Sequence, residues 1–301
     1  MTVSAVVVTY NRLSLLKEVI AALQASQTLV NHIIVVDNAS DQDTQAYLNS
    51  LAGQICYVRL TKNLGGAGGF NRGIRYFMEE TNDDYVWLMD DDTVVKPDTL
   101  TKLVNFADSK QQFGFLASDV RWIDGQRALM NLPAPLNRLQ VVPENPVVPI
   151  ELRSATFVSL LFARSVVATI GLPITDFFIW GDDIEYTERA RRVAPGYLVP
   201  AAQVVHKMSQ NIGSDIIKDS KARTNRYYYA YRNKLYYARQ RNSFGYFKGQ
   251  VRILLETMRL IFWPKKVENR WGKVKVILQA VHDGRKFNPP VEFAKKHEAV
   301  K

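Results

Sequence analysis

The chain has 301 residues, 47% of them apolar, enough for one large domain or two modest ones with a sizeable core. Its single cysteine excludes a disulfide framework, no stretch reaches the roughly 18 uncharged apolar residues of a membrane-spanning helix, and the first residues lack a signal peptide's basic region, so a cytoplasmic protein is expected. The net charge of +10 is uneven: residues 1–206 carry 17 Lys+Arg against 22 Asp+Glu and residues 207–301 carry 22 against 7, so the second part should face a bilayer surface, a phosphate-bearing lipid or nucleic acid.

Residues 4–9 form a β-branched run that ends in Tyr10-Asn11-Arg12. Leu13, Leu16, Val19, Ile20 and Leu23 then recur at helical spacing. Residues 32–37 read as a second strand, and Asn38-Ala39-Ser40-Asp41 as the cap of the next helix. Residues 55–60 are a third strand, with Cys56 in the core. This alternation argues for a parallel sheet with helices on both faces. Asp37 ends an early strand, where it can accept hydrogen bonds from a base or ribose, or simply begin a turn.

Residues 63–73 contain five glycines. They free the backbone for close approach to a ligand, and the helix running to about Glu80 would aim its first amides at an anion. The spacing is not the dinucleotide fingerprint, because Asn71 stands where a glycine is needed, and no P-loop lysine follows. Arg72 could neutralise a phosphate or lie exposed on the helix.

Residues 85–89 read as a buried strand, and Asp90-Asp91-Asp92 follow at its end. Adjacent carboxylates repel one another and need cations when buried. The carboxyl end of such a strand is where α/β folds place ligands. Hard oxygen ligands suit magnesium, manganese or calcium, so a metal-bound diphosphate is expected, against a solvated acidic turn. Residues 97–109 read as a helix and 113–120 as a strand. Residues 121–152 read as a long excursion over the active-site face, and 155–163 as a returning strand.

Phe177, Phe178 and Trp180 lead through Gly181 into Asp182-Asp183 at a helix start. The pair could cap the helix, or one could be a general base beside an aromatic wall that stacks on a sugar. Residues 197–205 form a strand ending in His206, whose imidazole can complete a metal site begun by carboxylates. Residues 221–241 mix six tyrosines with Arg226, Arg232, Lys234 and Arg239. Val251, Leu254, Leu255, Met258, Ile261 and Phe262 then form a helical stripe that suits a membrane interface, or packing on the first domain or another subunit. From Lys273 on, a basic helix gives way to a loose polar end.

Six segments, in order, carry a resemblance: residues 8–12, 36–40, 63–73, 89–92, 180–183 and His206. Together they resemble the inverting glycosyltransferases of family 2, with the GT-A fold, over about the first two-thirds of the chain. Residues 63–70 and the acidic triplet are most similar to bacterial galactofuranosyltransferases. Rhamnosyltransferases of bacterial surface polysaccharides, O-antigen or capsule, are near neighbours. The Tyr228-Tyr229 and Arg232-Asn233 pairs also recur in such enzymes.

The resemblance implies a Rossmann-like, mostly parallel sheet flanked by helices, with a catalytic domain at 1–210. The basic helical region at 211–301 would then serve acceptor, membrane-surface or oligomer contact. It implies a UDP-sugar donor, UDP-galactofuranose first, with Mn2+ or Mg2+. Thr9, Asn11, Arg12 and Asp37 would meet the nucleotide. Asn63, Gly65, Gly66, Ala67 and Arg72 would line the donor, and Asp91 would touch ribose or sugar. Asp90, Asp92 and His206 would hold the metal. Asp183 would be the base, with Asp182 as second candidate, and Phe178 and Trp180 would face the acceptor, a glycan expected to be lipid-linked at the inner face of the plasma membrane. Gly181 departs from the galactofuranosyl pattern, which puts Trp directly before the Asp pair, and resembles the rhamnosyltransferase order, so dTDP-rhamnose stays open as donor. Nucleic-acid binding through the Tyr/Arg-rich tail is the reading from another class.

Overall fold

The computed structural model describes residues 1–295, residue 138 excepted. The chain opens as β1 (Val3–Thr9), α1 (Leu13–Gln24), β2 (His32–Asp37), α2 (Gln42–Ser50), β3 (Cys56–Arg59), α3 (Gly65–Glu80) and β4 (Tyr85–Asp90). β5 (Thr93–Val95), α4 (Thr99–Asp108) and β6 (Phe115–Arg121) follow. Then come β7 (Ala134–Pro135), β8 (Ile150–Ser154), β9 (Leu160–Ala163), α5 (Arg164–Ile170), α6 (Asp182–Arg191) and β10 (Gly196–His206). The last helices are α7 (Thr224–Arg241), α8 (Ser243–Phe262) and α9 (Arg270–Lys286).

The strands form one sheet in the order β3-β2-β1-β4-β9-β6-β10-β8-β7, with β5 on β10. β3, β2, β1 and β4 run parallel, as the alternation of strands and helices requires. β9 is antiparallel to both β4 and β6, while β6 and β10 are parallel. Side chains alternate between two cores with the period of a strand. Ala5, Val7, Trp87 and Met89 face α1 and α4, and Val6, Val8, Val86 and Leu88 face α3, α5 and α6.

Three expectations change. The strand expected over 155–163 covers only Leu160–Ala163, and β8 straddles the end of the supposed excursion, where it pairs with β10. The glycine segment is not a loop: Gly65 to Gly69 already lie in α3. A Cβ on Gly69 would stand 2.3 Å from Val8, and one on Gly73 2.3 Å from Val6, so these glycines let α3 lie close on β1. The loose tail is also corrected. Beyond α9 the Glu292 carbonyl accepts from the Leu172 amide at 2.8 Å, and its carboxylate takes Arg75 at 2.6 Å and Asn71 at 3.2 Å. Residues 296–301 lie outside the described residues.

α7, α8 and α9 enclose their own core around Tyr231, Leu235, Ile253, Leu260 and Ile277. A smaller seam of Ala67, Ile174, Phe177 and Tyr236 joins α7 to the sheet-bearing part. The stripe on α8 does not pack on the first domain: Leu254, Leu255, Met258 and Phe262 are exposed, and the helix buries Ile253, Thr257 and Leu260 instead. Among the described residues no helix is long and apolar enough to cross a membrane.

Candidate active site

The acidic triplet sits where the ladder of β4 ends. Asp90 is its last residue, paired with Val8 of β1, and Asp91 and Asp92 turn away toward β5. Asp91 accepts from the Thr9 hydroxyl at 2.7 Å and from the Tyr10 amide and Arg12 Nη1, both at 3.3 Å. Asp92 takes Arg12 Nη1 at 2.5 Å and His206 Nε2 at 2.8 Å. His206 arrives on β10, and its Nδ1 lies 2.7 Å from Asn131 Oδ1. An amide oxygen there makes Nδ1 a donor; Nε2 donates to Asp92, and is the nitrogen that would ligate an ion once that proton is given up.

Asp90, Asp92 and His206 each offer a ligand atom, all within 4.8 Å of one another. Two carboxylates and an imidazole fit Mn2+ or Mg2+. The electrostatics agree with that fit. Burial, then the charge of Asp92, pushes Asp90 up to about 8 against the pull of His206. Burial pushes Asp91 up to about 6, with Arg12 opposing. Burial also works to raise Asp92, but the hydrogen bond and charge of His206 and the nearby Arg12 outweigh it and hold Asp92 low. Burial works to lower His206, and Asp92 overcomes it. Asp90 is thus the member whose charge lacks compensation, which a divalent ion would provide.

A cavity of about 1060 Å³ opens over this cluster. Its walls include Thr9, Tyr10, Arg12, Asn63, Gly65, Gly66, Asp90, Asp91 and His206, and also Phe178, Trp180, Asp182 and Asp183. Asn38 pins the start of α3, donating to the Gly65 carbonyl and accepting the Leu64 amide, both at 2.8 Å. The amides expected to face an anion are partly spent: Gly65 donates to Asn63 Oδ1 at 2.8 Å and Ala67 to the Phe178 carbonyl at 3.2 Å.

Besides Asp92, four candidates lie off the cavity wall. Asp37 is fully buried and held by the Ser40 amide, the Tyr57 hydroxyl and Arg59. Ala67 is buried in the seam with Tyr236. Arg72 is exposed well along α3. Asn11, at φ 55°, ties the end of β1 to the next loop through Ser40 and Asp41. Arg59 had a readable signal, since it stands in register with Asp37 across a parallel pair. Asn131 had none, lying in the irregular stretch after β6.

The second group of carboxylates is mounted differently. Phe178 has φ 61° and ψ −63°, and the Ile179 amide reaches the Phe177 carbonyl at 2.7 Å, a strained γ-turn. Trp180 at φ 62° and Gly181 at φ 93° follow. Each non-glycine residue held at such angles costs about 1–3 kcal/mol, and such strain gathers at ligand sites. Gly65 is compelled here, because a Cβ on it would fall 2.0 Å from the Phe178 carbonyl oxygen. The Phe178 ring stacks on Tyr229 at 4.8 Å, and Trp180 meets Tyr227 edge-on at 5.2 Å.

Asp182 and Asp183 then open α6. Burial, joined by the charge of Asp183, raises Asp182 well above the ordinary carboxylate range. Burial also raises Asp183, but the Ile184 amide, donating to its Oδ1 at 2.7 Å, limits it to about 6. At neutral pH Asp183 is mostly ionised, while burial and that neighbouring charge favour the protonated form of Asp182. Two neighbouring carboxylates pushed apart in this way can divide acid and base roles.

Residues 4–151 match the model of the glycosyl transferase family 2. Over 205 residues the chain is 32% identical to galactofuranosyltransferase GlfT1 of Mycobacterium tuberculosis, covering 64% of this chain and 65% of that protein. The match therefore spans just under two thirds of that relative. The fold resembles S. aureus TarS 1–349 in complex with UDP-GlcNAc, with a TM-score of 0.53 and 13% identity over 96% of this chain and 74% of that one. It also resembles the mannosyltransferase PcManGT from Pyrobaculum calidifontis in complex with GDP-Man and Mn2+, with a TM-score of 0.54 and 16% identity over 93% and 73%. These likenesses bear out the expected GT-A-like sheet flanked by helices.

Proposed function

We propose that the chain, whose residues 4–151 match the glycosyl transferase family 2 model, is a metal-dependent, inverting glycosyltransferase of bacterial surface polysaccharide synthesis. It would move a sugar from a nucleoside diphosphate to a hydroxyl of a glycan. The observation that carries this reading is a single cavity lined both by the Asp90 and His206 end of the metal-capable cluster and by Asp183.

Asp90, Asp92 and His206 would hold Mn2+ or Mg2+. A bound divalent ion supplies the charge that offsets a departing diphosphate. Thr9, Tyr10, Asn63, Gly65 and Gly66 line the donor's end, and Asp91 is held there by Thr9. Asp183 takes the proton from the acceptor hydroxyl as that oxygen attacks the anomeric carbon. The bond to the diphosphate oxygen breaks with its electron pair, and configuration inverts in one displacement. Burial and the charge of Asp183 favour the protonated form of Asp182, which supports Asp183 as the base. Phe178 and Trp180 give the acceptor sugar an aromatic wall.

The donor is UDP-galactofuranose, as the relative's name supports. The Gly181 spacing favours dTDP-rhamnose as a second reading. The acceptor is a lipid-linked glycan, and residues 211–301 serve the membrane side. The exposed apolar face of α8, edged by exposed Lys248, Arg252, Lys265 and Lys266, supports peripheral docking on an anionic inner leaflet. Release of UDP or dTDP across a panel of nucleotide sugars with Mn2+ tests the activity. Turnover of one UDP- or dTDP-sugar is expected, and none with any donor would remove the reading.

A further inference from the structure

The turn that delivers Asp182 and Asp183 is not held by the sheet. Its carbonyls are gathered by α7. Asn233, fully buried, donates its side-chain amide to the carbonyl oxygens of Trp180 at 2.8 Å, Phe177 at 3.0 Å and Ile179 at 3.3 Å. Its orientation is fixed, because Arg232 Nε and Nη2 reach Asn233 Oδ1 at 3.1 and 2.9 Å, and a guanidinium can only donate. Arg232 Nη2 also donates to the Asp176 carbonyl. The guanidinium lies 3.8 Å over the Phe287 ring, with the rings of Tyr228 and Tyr229 at 5.4 and 5.2 Å.

The remaining carbonyl, that of Phe178, takes the Ala67 amide of α3. Every carbonyl from Asp176 to Trp180 thus meets a donor from α7 or α3. Buried networks satisfied to this degree fix one backbone conformation. The turn they fix leads directly, through Gly181, into the first residues of α6.

We propose that Arg232 and Asn233 are positioning residues that hold the 176–181 turn and thereby present the Asp183 carboxylate to the acceptor hydroxyl. This rests on the reading of Asp183 as the base, and the test separates the two. Asn233→Ala is made in the full chain beside Asp183→Asn. In Asn233→Ala, calorimetry with UDP and Mn2+ should give unchanged affinity and the donor KM should hold. Its kcat should fall about 10²-fold, the loss expected when a reacting group is misplaced by about 1 Å. Amide hydrogen exchange across residues 176–184 should speed up while β1 and β4 stay protected. Arg232→Lys keeps the charge but loses the fork, and should lower kcat about 10-fold. It decides the question by the same readouts if Asn233→Ala does not fold.

Wild-type kcat in a folded variant, unchanged exchange across 176–184, or UDP affinity lost in parallel with kcat each overturns the proposal. Turnover retained in Asp183→Asn marks the separate failure of the base assignment, and leaves the exchange difference intact.

Discussion

The two carboxylate groups of the cavity are built by opposite means. Asp90 is the end of a strand flanked by β1 and β9, and its position follows from backbone ladders and a buried apolar run. Asp183 follows a turn with two strained non-glycine residues, held by side chains that lie some fifty residues later on α7. Ladders give rigidity without cost to neighbouring sequence. The turn gives an orientation no regular element offers, but only while its clamp is intact. A diphosphate's charge can be met by a fixed cluster, whereas a proton must be taken along one direction, and the two mounts suit those two demands.

The comparison breaks most sharply at the base. Asp183→Asn should lower turnover by about 10²–10⁴-fold with UDP and Mn2+ binding intact by calorimetry. Asp92→Ala should instead abolish metal-dependent UDP binding, because it removes a ligand, takes the acceptor from His206 Nε2 and leaves Arg12 only its longer contact with Asp91. Gly65→Ala strikes the contact between the halves. The left-handed backbone alone costs about 1–2 kcal/mol, and the clash with Phe178 adds to it, so both the melting midpoint and kcat should fall.

A titration sharpens the acidic half. Asp90, raised to about 8, holds a proton at neutral pH in the absence of the ion, so Mn2+ must displace it. Affinity should rise with pH up to about 8, and calorimetry in buffers of different ionisation heat should register proton release. The folded value lies above that of the unfolded chain. This group therefore makes the ion-free protein less stable as pH climbs from about 4 toward 8, and saturating Mn2+ should remove that slope in thermal melts. The smallest effect belongs to the surface of α8. Leu254→Glu with Leu255→Glu should leave stability within about 0.5 kcal/mol and activity on a water-soluble acceptor unchanged, while abolishing flotation with anionic vesicles. A shift to a smaller species in light scattering, with flotation retained, would instead mark that face as a contact between copies.

What could be read in advance divides along the same line. β1, β2 and β4 announce themselves by apolar runs, and Asp37 and Asp90 follow from where the second and third of those runs stop. The sheet's far half was harder. β8 and β9 are short pieces whose pairing is set by contacts across the sheet, so local pattern carried little of it. The glycines of α3 suggest close approach to a ligand, because composition does not tell a backbone close to a phosphate from one close to a strand. The tyrosines of α7 look like a stacking surface in sequence, yet Tyr227, Tyr231 and Tyr236 are buried. Asn233 looks like any helical asparagine, since only the fold brings three carbonyls within its reach and a fourth within that of Arg232.

Glu292 and its neighbours close a circuit. They are synthesised after everything they brace: α3, through Asn71, Arg75 and Glu79, and the segment at residues 171–172 that leads to the Phe178 turn. Phe287, from the same stretch, roofs the guanidinium of Arg232. A nascent chain can therefore assemble its sheet while still on the ribosome, but it reaches its finished geometry only once translation has passed this point. Catalytic competence would then be a late event of biogenesis, timed by the order of the polypeptide itself.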